Sequence, residues 1–90
     1  MYVRQIRYNG RVQANQTEIN SNGASFLISY NTPVVVDLIS ETEVNGTVYK
    51  PGVYKTDEFH SVTTSKHINR YTETSRTMPQ ADIDSLFARL

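Results

Sequence analysis

Three Asn-Gly pairs stand in the first half of this 90-residue chain, at Asn9-Gly10, Asn22-Gly23 and Asn45-Gly46, and they constrain its fold more than any other feature. The dipeptide favours positive φ at both central positions of a type I′ turn, whose twist matches that of the strands it joins. Each pair is flanked by strand-like sequence. Tyr2 to Tyr8 reads YVRQIRY, with Tyr2, Ile6 and Tyr8 on one face and Val3 on the other, and Val12 and Ala14 lie two apart after the first turn. The pattern predicts an N-terminal hairpin.

Ala24 to Tyr30 and Val34 to Ser40 are the most apolar segments, and Val34-Val35-Val36 suits a strand buried on both faces. Both are expected in the centre of a sheet. Pro33 cannot donate to a ladder and biases Thr32 away from helix, so a turn or bulge is expected between them. Further on, Val48-Tyr49-Lys50 and Val53-Tyr54-Lys55 surround Pro51-Gly52, a pair with the preferences of a type II turn.

The period then changes. Thr63 or Thr64 can cap a short helix with Ile68 and Tyr71 on one face. Thr77-Met78-Pro79-Gln80 has capping-box spacing, with Pro79 in the first turn and Asp82 and Asp84 near the positive end of the helix dipole. Ile83, Leu86, Phe87 and Leu90 follow at i, i+3, i+4 and i+7, an apolar stripe. Thr72 to Thr77 reads as a polar linker before it. The fold class expected is therefore α+β over residues 1–90: a small antiparallel sheet of four to six strands within 2–62, a short helix over 64–72 and a C-terminal amphipathic helix over 78–89.

Composition narrows the function classes. At 38% apolar and 20% charged the chain is globular, and nine basic against nine acidic residues exclude both a polybasic nucleic-acid binder and a strongly acidic DNA mimic. A domain of this size hides about 60–65% of its unfolded surface, which makes homo-oligomerisation a standing option. With no cysteine there is neither a disulfide framework nor a thiolate metal site, and no apolar run reaches the length that crosses a bilayer. A cytoplasmic protein with no membrane association is expected.

His60 and His67 are the only histidines, and with Asp57 and Glu58 they sketch a two-His, one-carboxylate metal site. The spacing matches no metal motif, and packing or hydrogen bonding explains a histidine in a short helix more simply. No nucleophile elbow or phosphate-cradling glycine loop is present. No catalytic residue, metal or cofactor is expected.

Two binding readings remain. The stripe Ile83, Leu86, Phe87 and Leu90 either packs onto the chain's own sheet or docks into a groove on another chain, exchange of the helix between two copies included. Six tyrosines and three phenylalanines suit strands, protein interfaces and single-stranded nucleic acid platforms alike. For nucleic acid the candidates are Tyr2, Arg4, Arg7, Tyr8 and Arg11.

Phe26 to Val34, FLISYNTPV, followed by Thr63 to Tyr71, TTSKHINRY, resembles small bacteriophage proteins of unknown function. In these a Ser-Tyr-x-Thr-x-Val segment precedes a Thr-Thr-x-x-His segment ending in an aromatic residue. The resemblance implies a context, a phage or prophage accessory protein in the cytoplasm of a bacterial host cell, and carries no catalytic residues. The function expected is non-catalytic binding that modulates a host protein, a defence-system component for example, through Ile83, Leu86, Phe87 and Leu90. Nucleic-acid binding by the Arg/Tyr face is the alternative.

Overall fold

The hairpins set up by the turn sequences combine into one large sheet. The computed structural model describes residues 2–8, 10–21 and 23–90, with the side chains of Tyr2 and Tyr8 outside that description. Its elements in chain order are β1 (Tyr2–Tyr8), β2 (Arg11–Asn20), β3 (Ala24–Ser29), β4 (Thr32–Leu38), β5 (Thr42–Val44), β6 (Thr47–Tyr49), β7 (Gly52–Thr56), α1 (Val62–Tyr71), β8 (Thr77–Met78) and α2 (Gln80–Phe87). Six strands form a sheet in the order β1-β2-β3-β4-β7-β8, while β5 and β6 pair separately. The α+β class holds, but the sheet is mixed and a second small sheet accompanies it.

Asn45 and Gly46 adopt φ of 50° and 82°, as a type I′ turn between β5 and β6 requires. Gly10 has φ of 77° between β1 and β2; Asn9 and Asn22 lie outside the described residues. Gly52 departs from the type II expectation. Its φ is 141°, and a Cβ there would meet the Arg76 guanidinium at 2.5 Å.

Two irregularities shape the centre of the sheet. Leu27 pairs with Val35 and Ile28 with Pro33, so Val34 is an extra residue. This bulge sends Val34 and Val35 into the same core cluster and accommodates Pro33 inside β4. Between β1 and β2 the register shifts from Gln5↔Thr17 to Arg7↔Val12, which leaves Ile6 opposite an expanded stretch of β2. Asn15 in that stretch has φ of 63°, which asparagine tolerates, and its carbonyl accepts from the Tyr30 amide at 2.8 Å.

The expectation of a wholly antiparallel sheet within 2–62 is corrected by β8. It runs parallel to β7 through Lys55↔Thr77 and Thr56↔Met78, and parallel neighbours need a long crossover, here supplied by α1. The supposed linker Thr72 to Thr77 is thus the return limb of a β-α-β unit. Thr74 Oγ1 donates to the Val53 carbonyl at 2.8 Å, and the Lys55 amide donates to the Arg76 carbonyl at 3.0 Å.

Both helix starts differ from the sequence reading. α1 begins two residues early because Ser61, rather than Thr63 or Thr64, accepts from the Thr64 amide. α2 begins two residues late, and no capping box forms because Thr77 and Met78 are in strand pairing. Pro79 sits at the cap without a side-chain hydrogen bond. Gln80, turned inward, donates to the Pro33 carbonyl at 2.7 Å.

The helices cover opposite faces of the sheet. On the α2 face Phe26, Val36, Leu38, Val44, Met78, Ile83 and Leu86 form the larger core, and Phe87 meets Phe26 edge-on at 5.3 Å between ring centroids. On the α1 face Ile6, Leu27, Val34, Val35 and Ile68 form a smaller one, flanked by Tyr71. Valines 34 to 36 are completely buried, as expected for central strands.

Candidate functional site

α1 lies over the middle of the sheet and stops short of β1. Leu27 on β3 and Val34 and Val35 on β4 pack beneath Ile68, whereas Val3 and Arg4 on β1 are exposed. A groove of about 280 Å³ opens along this step, lined by Arg4, Gln5, Ile6 and Arg7 of β1 and by Arg70 and Tyr71 at the end of α1. Three arginines are thus among the residues that line one concavity.

Glu18 on β2 anchors the groove. It pairs with Arg4 in the strand register, and its side chain is only 10% exposed. Arg4 Nη2 donates to Glu18 Oε1 at 2.8 Å, Asn20 Nδ2 donates to the same oxygen at 3.0 Å, and the Tyr71 hydroxyl donates to Oε2 at 2.5 Å. Burial alone would raise this carboxyl's pKa, but the hydrogen bonds from Tyr71 and Asn20 and the Arg4 cation outweigh burial and hold it below 4.5. The Tyr71 phenol moves the other way, raised by burial and by the adjacent Glu18 charge. Glu18 therefore remains an anion that holds Arg4 and Tyr71 in place.

A second polar cluster lies under α1. Ser29 Oγ is 2.8 Å from His67 Nδ1 and 3.0 Å from Thr64 Oγ1, and the Tyr30 ring lies 5.9 Å from the imidazole. Burial lowers the His67 pKa below 6.5. The Ser29 hydroxyl is thus shared between Thr64 and the His67 imidazole. The spacing suits a nucleophile and its base, but Ser29 is 2% exposed, so no substrate carbonyl reaches its hydroxyl. Gln16, opposite Ser29 in the register, buries its Oε1 without a partner.

The two histidines serve different elements. His60 Nε2 lies 3.0 Å from Gln80 Oε1, and because Gln80 Nε2 already donates to Pro33 and Asp84, the imidazole is the donor. The Asp57 carboxylate accepts from the Gln80 amide, and Glu58 lies 3.9 Å from His60. Among the described residues no group of three or more potential ligands is arranged to hold a metal.

The C-terminal stripe is divided by burial. Ile83 and Leu86 are buried in the α2 core, Phe87 is half-buried against Phe26, and Leu90 is 45% exposed. The packing onto the chain's own sheet thus accounts for the stripe, and the docking surface expected from it reduces to Leu90. Asp82 secures the helix from its other side, accepting from Asn45 Nδ2 at 2.8 Å and from the Tyr49 hydroxyl, whose pKa burial and the carboxylate push up to about 12.

Of the nucleic-acid candidates, Arg4 and Arg7 line the groove. Arg11 is exposed at the start of β2 and is not among the lining residues, and the Tyr2 and Tyr8 side chains lie outside the described structure. Sequence reading missed Arg70, Gln5 and Glu18. Arg70 and Tyr71 carried one available signal, a cation and an aromatic at the end of a helix, but nothing local says which strand that end lies beside.

Comparison with known proteins gives one family: a model described as a family of unknown function (DUF8033) matches residues 1–85. Neither a curated protein nor a solved structure matches the chain. Among the described residues no helix is long and apolar enough to cross a membrane.

Proposed function

The chain belongs to the DUF8033 family, and from the geometry of the groove we propose that it is a non-catalytic binding module that holds a protein partner along β1. One observation carries this reading: the arginine-lined groove runs along the terminal strand of the six-stranded sheet, where Val3, Arg4, Gln5 and Arg7 are exposed and Ile6 is buried. Edge strands present backbone donors and acceptors to any chain that can reach them. The binding surface moves from the C-terminal stripe to the opposite end of the sheet, because Ile83 and Leu86 are buried in the core.

The resemblance to small bacteriophage proteins supplies the context of the proposal. The protein acts in a bacterial cytoplasm as an accessory factor that modulates a host protein, such as a defence-system component, by occupying its surface. Nucleic-acid binding is the second reading, favoured by the three arginines around the groove. Affinity capture from bacterial lysate, with and without nuclease, separates the two. The expected result is a protein retained after nuclease treatment and at high salt by the natural chain and lost by Arg4→Gln/Arg7→Gln. Recovery of nucleic acid that falls steeply with salt overturns it.

A further inference from the structure

We infer that Asn45 is a modification site. Spontaneous loss of its side-chain nitrogen at the Asn45-Gly46 turn converts a hydrogen-bond donor into a second carboxylate against Asp82 and releases the β5–β6 hairpin from α2. The inference is independent of the partner proposed at β1.

The hairpin is joined to the molecule differently from the other strands. β5 and β6 pair with each other and not with the six-stranded sheet. Their main polar tie is Asp82, 7% exposed, whose carboxylate accepts from Asn45 Nδ2 at 2.8 Å through Oδ1 and from the Tyr49 hydroxyl through Oδ2. Asn45 Nδ2 also donates to Ser85 Oγ at 3.1 Å, and Val44 is buried in the larger core. Asp82 stands in the first turn of α2, where the helix dipole favours its negative charge. The tie therefore depends on Asn45 being the donor and Asp82 the acceptor.

The same asparagine is placed for deamidation. Asn45 and Gly46 are both exposed to water. Apart from its chain neighbours no atom lies within 4 Å of where a Cβ of Gly46 would stand, so the Gly46 nitrogen can approach Asn45 Cγ unhindered from that side. Asparagine is heat-labile through this chemistry. The Gly46 nitrogen bonds to Asn45 Cγ, the Cγ–Nδ2 bond breaks, and Nδ2 leaves as ammonia with the proton that the Gly46 nitrogen gives up through solvent. Water then opens the cyclic imide at either carbonyl and leaves aspartate or isoaspartate at position 45. In sum, amide and water become carboxylate and ammonium.

Either product replaces the donor by a carboxylate, and two carboxylates in contact repel each other unless one of them keeps a proton. The groups nearby do not offset that charge. The Tyr49 hydroxyl, facing Asp82 from β6, has its pKa pushed up to about 12 and stays neutral, and Arg89 Nη2 is engaged with the Glu43 carbonyl at 2.8 Å. Opening of the hairpin uncovers Tyr49, which packs against the larger core.

The test uses the full chain. Incubation at mildly alkaline pH followed by peptide mapping is expected to show the mass gain of an amide-to-acid change at position 45 in the folded protein. Its absence there after the urea-unfolded chain has converted overturns the modification site. Asn45→Asp supplies the product directly, and amide hydrogen exchange over residues 42–49 is expected to quicken about tenfold in this variant. The effect should shrink as pH falls and one carboxylate takes a proton. Asp82→Asn in the same chain exchanges donor and acceptor, because its amide nitrogen can donate to the new carboxylate while its oxygen still accepts from Tyr49. The double variant is expected to recover slow exchange. Exchange in Asn45→Asp equal to that of the natural chain overturns the tie, and so does failure of Asp82→Asn to restore it. If Asn45→Asp alone does not fold, the double variant decides: recovery of the fold supports the like-charge contact, and continued unfolding overturns it.

Discussion

The two faces of the sheet carry the same element, a short amphipathic helix, and use it differently. α2 closes its face: Ile83 and Met78 are fully buried, and the buried polar residues of the helix, Gln80 and Asp82, are tied to the Pro33 carbonyl and to Asn45. α1 leaves its face partly open and buries polar groups within it, Ser29, Thr64 and His67 at one point and Glu18 at another. Apolar packing is non-directional and gives stability, whereas a satisfied polar network fixes side chains in particular orientations. The closed face therefore holds the molecule together, and the open face holds Arg4 and Tyr71 in defined positions at the edge strand β1.

The contrast breaks most readily at Ile83. Ile83→Ala removes a fully buried side chain from the larger core and is expected to cost about 2–5 kcal/mol, read as a fall in the urea midpoint at constant m-value. If the loss is under about 1 kcal/mol, the α2 face is not the main source of stability. On the other face, Glu18→Gln keeps the shape but weakens three hydrogen bonds to a charged acceptor, for an expected loss of about 1–2 kcal/mol at neutral pH.

The pH dependence of the same variant sharpens the comparison. Glu18 has a folded pKa below the ordinary 4.5, so its contribution is fully present above 4.5 and is lost as pH falls through the folded value. Urea midpoints of the natural chain should drop across that acid window, and those of Glu18→Gln should drop less. His67 gives a second limb at higher pH. Its folded pKa lies below 6.5, so the unfolded chain binds the proton first and stability decreases as pH falls from 6.5 towards the folded value. His67→Gln should flatten that limb, and an unchanged slope would show that the imidazole titrates freely in the folded protein. The smallest effect is expected at Leu90, which is 45% exposed: Leu90→Ala should change stability by no more than about 0.5 kcal/mol.

Local chemistry made a good part of this legible in advance. Asn45-Gly46 turns as its residue types demand, Val34 to Val36 are buried because β-branched residues pack well in a central strand, and the stripe through Ile83 and Leu86 faces the core because its period is helical. The helix starts were misread because capping motifs compete with pairing. Thr77 had the right spacing for a cap, but its backbone joined Lys55 in the sheet, and Ser61 was better placed than Thr63 or Thr64.

The sequence by itself thus determined the strands β1 to β4, the Asn45-Gly46 turn, the two helical stripes and the neutral charge balance, all of which depend on neighbours within a few residues. Only the tertiary structure decided that β8 pairs with β7, that α1 crosses between them, and that the end of α1 comes to rest beside β1. That placement gathers Arg4 and Arg7 from the first strand with Arg70 and Tyr71 from the helix and sets Glu18 between them. Groups so far apart in the chain meet only through the order and direction of the strands, which follow from the packing of both sheet faces at once rather than from any local preference.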